Sequence, residues 1–134
     1  MTADAGTAVV RTFLEALWAG DKAAAKAQFA DESEWWFRPS LGYQRPMPGP
    51  EAIDVVSDDM IGRFDPAKPF NVEVHHLFGE GGEVAAEYTA TGTTVSGREY
   101  RHRYLLRASV SDGKITTVRP WVDTKYFLDT LYGE

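Results

Sequence analysis

The sequence predicts an α+β domain, with helices covering one face of a curved antiparallel sheet. Three observations carry that prediction. Near the start, Val9, Val10, Phe13, Leu14, Leu17 and Trp18 recur at helical spacing. From Phe70 onward the apolar residues alternate instead, as they do in half-buried strands. Between the alternating runs stand Gly79-Glu80-Gly81-Gly82 and Ser111-Asp112-Gly113-Lys114, both hairpin-turn sequences. The 134 residues make one domain, spanning 1–134, long enough to bury a real core.

Each element follows in order. Residues 1–6 read as a frayed tail, and a first helix runs from Thr7 until Gly20 stops it. Asp21 caps a second, short helix, KAAAKAQF, anchored by Phe29. Glu34-Trp35-Trp36-Phe37-Arg38 reads as a strand ended by Pro39, and Ser40 to Gly49 as a loop. Gly49-Pro50-Glu51 opens a third helix, with proline at the first position and an acid in the first turn. Its stripe is Ile53, Val56, Met60 and Ile61, and Gly62 and Pro66 close it. In the strand from Phe70 to Phe78, alternation puts Val72, Val74, His76 and Phe78 on one side, and Glu73, His75 and Leu77 on the other. The strand from Val84 to Val95 carries Val84, Ala86, Tyr88 and Ala90 on one face. In the next strand Tyr100, His102, Tyr104, Leu106 and Ala108 oppose Arg101, Arg103, Leu105 and Arg107. In the last, Ile115, Thr117, Arg119, Trp121 and Asp123 oppose Thr116, Val118, Pro120 and Val122. A short helix carrying Tyr126, Phe127, Leu131 and Tyr132 follows.

Composition narrows the function. A net charge of −6 argues against a general nucleic-acid binder and against an anionic membrane surface. With no cysteine there are no disulfides, thiolate metal sites or cysteine nucleophiles. No signal peptide and no membrane-length apolar run are visible, so the expected location is the cytoplasm. Aromatic residues at 13%, four of them Trp, suggest a large core or a cavity with aromatic walls.

The candidate site lies on the mostly apolar sheet face that also carries titratable groups, as a lined pocket does. Asp123 is either a general base desolvated beside Trp121 or the cap of the helix that starts at Thr124. His102 is either a donor to a substrate oxygen, paired with Asp123, or a wall histidine bonded to a neighbour. His76 is a further candidate on its own strand. Tyr88, Tyr100 and Tyr104 either donate to a ligand carbonyl or are core aromatics with satisfied hydroxyls. Arg119 either binds a ligand carboxylate or makes a structural ion pair. Trp18, Trp35, Phe37, Met60 and Trp121 are core residues taken singly; together they suit a small planar or polycyclic apolar molecule. The three histidines lack the spacing of converging ligands, so no metal site is expected. Arg101, Arg103 and Arg107 read as an outer-face ladder with Glu73 and Glu87, or as a dimer interface.

The helical start VRTFLEALWAGD, the helix opening GPEAI and above all DGKITTVRPWVD resemble the NTF2-like superfamily. The nearest branch is that of SnoaL-like polyketide cyclases, ketosteroid isomerases and limonene-epoxide hydrolases, and the resemblance runs from Val9 to Tyr132. It implies a cone-shaped (cystatin-like) fold, a bent sheet wrapped around a pocket that the N-terminal helices close. It also implies homodimers through the outer sheet face. Asp123 stands where cyclases and epoxide hydrolases carry their working carboxylate, and His102 is the nearest fit to the cyclases' histidine. Epoxide hydrolysis is not expected. Tyr88 and Ala90 occupy the place of its Arg-x-Asp pair, and Trp35 and Phe37 that of its Tyr-x-Asn. The isomerase pattern of a tyrosine on the first helix is missing too. The resemblance therefore implies a cofactor-independent enzyme that removes a proton next to a carbonyl, giving isomerisation or aldol-type ring closure. The alternative is a non-catalytic ligand-binding or protein-association module on the same cone.

Overall fold

The structure, a computed structural model, describes residues 5–37, 43 and 45–133. Residues 1–4 of the expected tail, the strand end at 38–39 and positions 40–42 and 44 of the expected loop lie outside the described residues. Helix α1 (Ala5–Trp18) turns Val10, Phe13, Leu14 and Leu17 inward as one stripe. Gly20, at φ +80°, ends it. The Asp21 carboxylate then accepts the Ala24 N–H at 3.0 Å and starts α2 (Lys22–Lys26). Phe29 is not the anchor of that helix but the first residue of β1 (Phe29–Trp35), because it pairs with Ile115. Helix α3 (Gly49–Val55) opens at the expected Gly-Pro-Glu, then widens into a π turn (Val56–Met60) and tightens into a 3-10 turn (Ile61–Arg63).

Strands β2 (Asn71–Glu80), β3 (Glu83–Thr93), β4 (Glu99–Ser111) and β5 (Lys114–Trp121) follow, and α4 (Thr124–Leu131) comes after them. The sheet order is β1-β5-β4-β3-β2. Strands β2 to β5 are antiparallel neighbours, as expected, but β1 joins the edge parallel to β5. The sheet is therefore mixed, curved and unclosed rather than wholly antiparallel. Parallel pairing follows from the connection: α3 and its π and 3-10 turns, then β2 to β4, intervene between β1 and β5. Helix α1 lies across β2, β3, β4 and β5, and α4 packs on β4. Phe13 of α1 meets Phe29 and Trp35 edge-on, with ring centroids 5.4 and 5.8 Å apart.

Strand β4 obeys the alternation without fault: Tyr100, His102, Tyr104, Leu106 and Ala108 are buried, while Arg101, Arg103, Leu105 and Arg107 are exposed. In β2 and β5 a bulge reverses the alternation partway along. In β2, Val74 pairs with Tyr88 but His76 pairs with Glu87, leaving His75 as the extra residue. His76 and Phe78 therefore turn outward and Leu77 turns in, opposite buried Ala86. In β5, Ile115 pairs with Val110 but Thr117 pairs with Ser109, leaving Thr116 extra. Beyond it the inward residues are Val118 and Pro120, opposite Ala108 and Leu106. Arg119 and Trp121 pair with the outward-facing Arg107 and Leu105. One inserted residue exchanges the two faces of everything that follows on the bulged strand.

Candidate functional site

A narrow apolar cavity lies between the helices and the concave face of the sheet. The end of α1 supplies Leu17 and Trp18, and β1 with the residues after it supplies Trp35 and Phe37. The π turn supplies Val56 and Met60, and Phe64 follows. Tyr88 comes from β3 and Tyr104 from β4. Pro120 and Val122 stand on and after β5, and Phe127 and Leu131 on α4. The cavity is small, about 50 Å³. Aromatic rings fill much of the space around it. Tyr88 and Tyr104 stack at 4.9 Å and 7°, and Trp18 tilts against Tyr104 at 5.6 Å.

The cavity brings together Trp18, Trp35, Phe37, Met60, Tyr88 and Tyr104 of the expected site residues. It does not include the others. His76 is outside, 61% exposed at its side chain and stacked on Phe78, because of the β2 bulge. Arg119 and Trp121 are on the outer face because of the β5 bulge, and the Arg119 guanidinium sits 5.4 Å from the Trp36 ring centre. Tyr100 is buried behind the wall rather than in it.

Asp123 is exposed, and its carboxylate accepts the Tyr126 N–H at 3.1 Å as the cap of α4. This is the helix-cap alternative, and it corrects the picture of a carboxylate desolvated beside Trp121. The cause is again the bulge, which turns Val122 rather than its neighbours to the cavity. The wall residues that alternation misassigned, Pro120 and Val122, belong to the other parity of β5. Phe127 and Leu131 carried a legible signal, since their i, i+4 spacing marks one face of α4.

His102 stands behind Tyr104, 4% exposed. Its Nε2 accepts the backbone N–H of Asp123 at 3.0 Å, and its Nδ1 lies 2.7 Å from the Tyr100 hydroxyl. Tyr100 in turn makes a close hydroxyl–hydroxyl contact with Tyr104. Burial pushes the imidazole pKa down, and the nearby Asp123 carboxylate only partly opposes it. A neutral ring that accepts at Nε2 carries its proton on Nδ1. Burial pushes the hydroxyl pKa of Tyr88, Tyr100 and Tyr104 far up, so all three are neutral phenols. The Trp18 indole is near enough to Tyr88 to oppose that shift, though its N–H completes no well-formed hydrogen bond. Trp35 Nε1 is likewise buried without a hydrogen-bond partner among the described residues.

Among the described residues the polar side-chain groups of the wall are phenol hydroxyls and indole N–H groups, with no carboxylate or imidazole. No group of three His, Asp or Glu side chains converges on a metal position among the described residues. Such a wall can enclose an apolar body and donate hydrogen bonds to an oxygen on it.

A family profile described as SnoaL-like domain matches residues 10–118. Solved structures share the fold over nearly the whole chain. One is TerC co-crystallised with polyporic acid, 14% identical over 96% of this chain and 98% of that one, with a TM-score of 0.80. A loop truncation variant of IdmH is 24% identical over 94% of this chain and 98% of that one, with a TM-score of 0.76. An LEH-like epoxide hydrolase from M. tuberculosis is 20% identical over 95% of this chain and 89% of that one, with a TM-score of 0.70. At these identities the likeness is one of fold. No protein of curated function matches the sequence. A family match over most of the chain, on an α+β cone with a mixed five-stranded sheet, makes this chain a member of the SnoaL-like domain family, with the NTF2-like fold.

Proposed function

We propose that the chain is a cofactor-independent enzyme acting on a small, apolar, carbonyl-bearing molecule held in the aromatic cavity, whose packed rings move apart to admit it. The observation that carries this reading is the pair of neutral tyrosines, Tyr88 and Tyr104, set in an otherwise apolar wall. A phenol donor in a water-poor site stabilises negative charge as it develops on a carbonyl oxygen. The reaction is proton removal from the carbon next to that carbonyl, giving an enolate. Return of the proton at another carbon completes an isomerisation; alternatively the enolate carbon attacks a second carbonyl, closing a ring, and the proton held by the base passes to the alkoxide so formed.

The base in this proposal is Asp123. It directly follows the wall residue Val122, and service as the base requires its carboxylate to leave the Tyr126 N–H. Tyr88 and Ala90 stand where the epoxide hydrolases need their Arg-x-Asp pair, and Trp35 and Phe37 where they need their water-holding Tyr-x-Asn, which supports carbon-acid chemistry over epoxide opening. The same reading makes the chain a homodimer through the outer sheet face, where Leu105, Trp121 and Trp36 are exposed.

The test is deuterium exchange at the carbon next to the carbonyl across a panel of polycyclic ketones, for the wild type and Asp123→Asn. Asparagine caps a helix as well as aspartate does but cannot take a proton. Loss of about 10²–10⁴ in exchange rate is expected. Exchange that survives the substitution would remove Asp123 as the base.

A second reading is favoured by the make-up of the described wall, whose side chains are apolar or neutral donors. It is a binding module that holds the same class of molecule without turnover. Ketones that bind but exchange no proton in the wild type would establish it.

A further inference from the structure

We infer that Asp123 N–H, His102, Tyr100 and Tyr104 form a one-way hydrogen-bond relay. It makes Tyr104 an obligate donor into the cavity and so selects ligands whose inner end carries an oxygen acceptor. The inference rests on the cavity's being the ligand site, and it assigns His102 a positioning role that needs no contact with the ligand.

The direction follows from counting protons. A backbone N–H can only donate, so the Asp123 amide fixes His102 Nε2 as an acceptor at 3.0 Å. The neutral imidazole then has its proton on Nδ1, and that N–H donates to Tyr100 Oη at 2.7 Å. Tyr100 has one proton of its own. Its hydroxyl partners are His102 Nδ1, already a donor, and Tyr104 Oη, so it donates to Tyr104. The Tyr104 proton is left over. It cannot return to Tyr100, whose own proton occupies that contact, and Tyr104 makes no other side-chain hydrogen bond among the described residues. Tyr104 is a wall residue, and the relay assigns that proton to an acceptor in the cavity the ring lines.

The reverse order would place a proton on His102 Nε2 against the Asp123 N–H, two hydrogens facing across one contact. Burial keeps the ring from taking a second proton that would break the order. Each bond in a chain of this kind polarises the next, which strengthens the last donor. The relay also starts at the N-terminus of α4, the helix that brings Phe127 and Leu131 to the wall. The placement of α4 and the polarity of the wall are thus set by one amide.

The test has two arms, both on the full chain. In the first, long-range ¹H–¹⁵N correlation at pH 7.5, with His102→Asn to assign the signals, reads the tautomer directly. The expected result is a neutral ring protonated at Nδ1 with a bare Nε2. A ring protonated at Nε2, the form favoured by free imidazole side chains in water, overturns the relay.

In the second arm, 2-acetylnaphthalene is the acceptor probe and 2-isopropenylnaphthalene its oxygen-free match in shape. The wild type is expected to prefer the ketone by about fivefold to tenfold, the size of one neutral hydrogen bond. Tyr104→Phe and His102→Leu should abolish the preference. His102→Asn should keep part of it, because its amide N–H takes the place of Nδ1–H toward Tyr100. A preference that survives Tyr104→Phe overturns the inference. If neither probe binds, the ligand reading of the cavity fails, while the tautomer still decides the relay.

Discussion

Asp123 does two jobs through different atoms. Its carboxylate holds the Tyr126 N–H at the start of α4, and its backbone N–H holds His102. The two are separable by substitution. Asp123→Ala removes the cap and should cost about 1 kcal/mol of stability, whereas Asp123→Asn should stay within about 0.5 kcal/mol of the wild type in urea denaturation. His102 gives a pH dependence with a defined sign. Burial lowers its folded-state pKa below the ordinary 6.5, so below that value the unfolded chain binds the proton first. The stability due to His102 is complete above about pH 6.5. It declines as pH falls below that value and levels off below the folded-state pKa. Unfolding free energies of the wild type and His102→Asn between pH 5 and pH 8 should diverge in that window, with the wild type showing the steeper loss on acidification.

At the scale of elements, close approach decides what a position tolerates. A Cβ on Gly49 would lie 2.3 and 2.7 Å from ring carbons of Phe29 and 2.7 Å from Ser33 Oγ. The opening of α3 is thus pressed onto β1 with no room for a methyl group, and the Gly49 N–H donates to that same Ser33 hydroxyl at 3.2 Å. Gly49→Ala should cost about 1–3 kcal/mol, read as a fall in melting temperature, because the Phe29 ring is itself packed against Phe13 and Trp35. The sequence made this helix legible through its Gly-Pro-Glu opening, and β4 legible through strict alternation of aromatic and arginine residues. The faces of β2 and β5 were not legible. In β5 both parities hold apolar residues, Ile115 and Trp121 on one and Val118 and Val122 on the other, so nothing in the pattern marks the inserted Thr116. In β2 the run Val72, Val74, His76, Phe78 looks continuous, and the polar His75 that interrupts it finds a partner in the Thr89 hydroxyl at 2.7 Å. Bulges depend on the partner strand's spacing, which a single run of residues does not contain. For that reason His76, Arg119 and Trp121 stand outside the cavity, whereas Trp18, Trp35, Phe37, Met60, Tyr88 and Tyr104 line it.

Across the whole molecule the two sheet faces divide the work. The concave face, with α1, α3 and α4, encloses the cavity, and the convex face shows charged pairs such as Arg107–Glu83 at 3.0 Å. Among those charges Leu105 is 50% exposed and Trp121 39% exposed, paired across β4 and β5. That pair is where the proposed second copy docks. Leu105→Glu should lower the sedimentation coefficient from that of a dimer to that of a monomer without changing the fold seen by circular dichroism. A wild-type chain that sediments as a monomer at tens of micromolar would remove the dimer from the proposal. The family fixes this architecture but leaves the reaction open, because the chemistry depends on a few wall residues.

The π turn at Val56–Met60 adds a residue to a helical turn and places Val56 and Met60 at the cavity wall. A helix advances about 100° per residue. Deleting one residue inside the turn would restore ordinary helical winding and swing Met60 away from the space it now fills, with Ile61 and Phe64 carried round behind it. The size of the chamber is therefore adjustable by chain length as well as by side-chain identity, and a lineage could reshape it by gaining or losing one codon there.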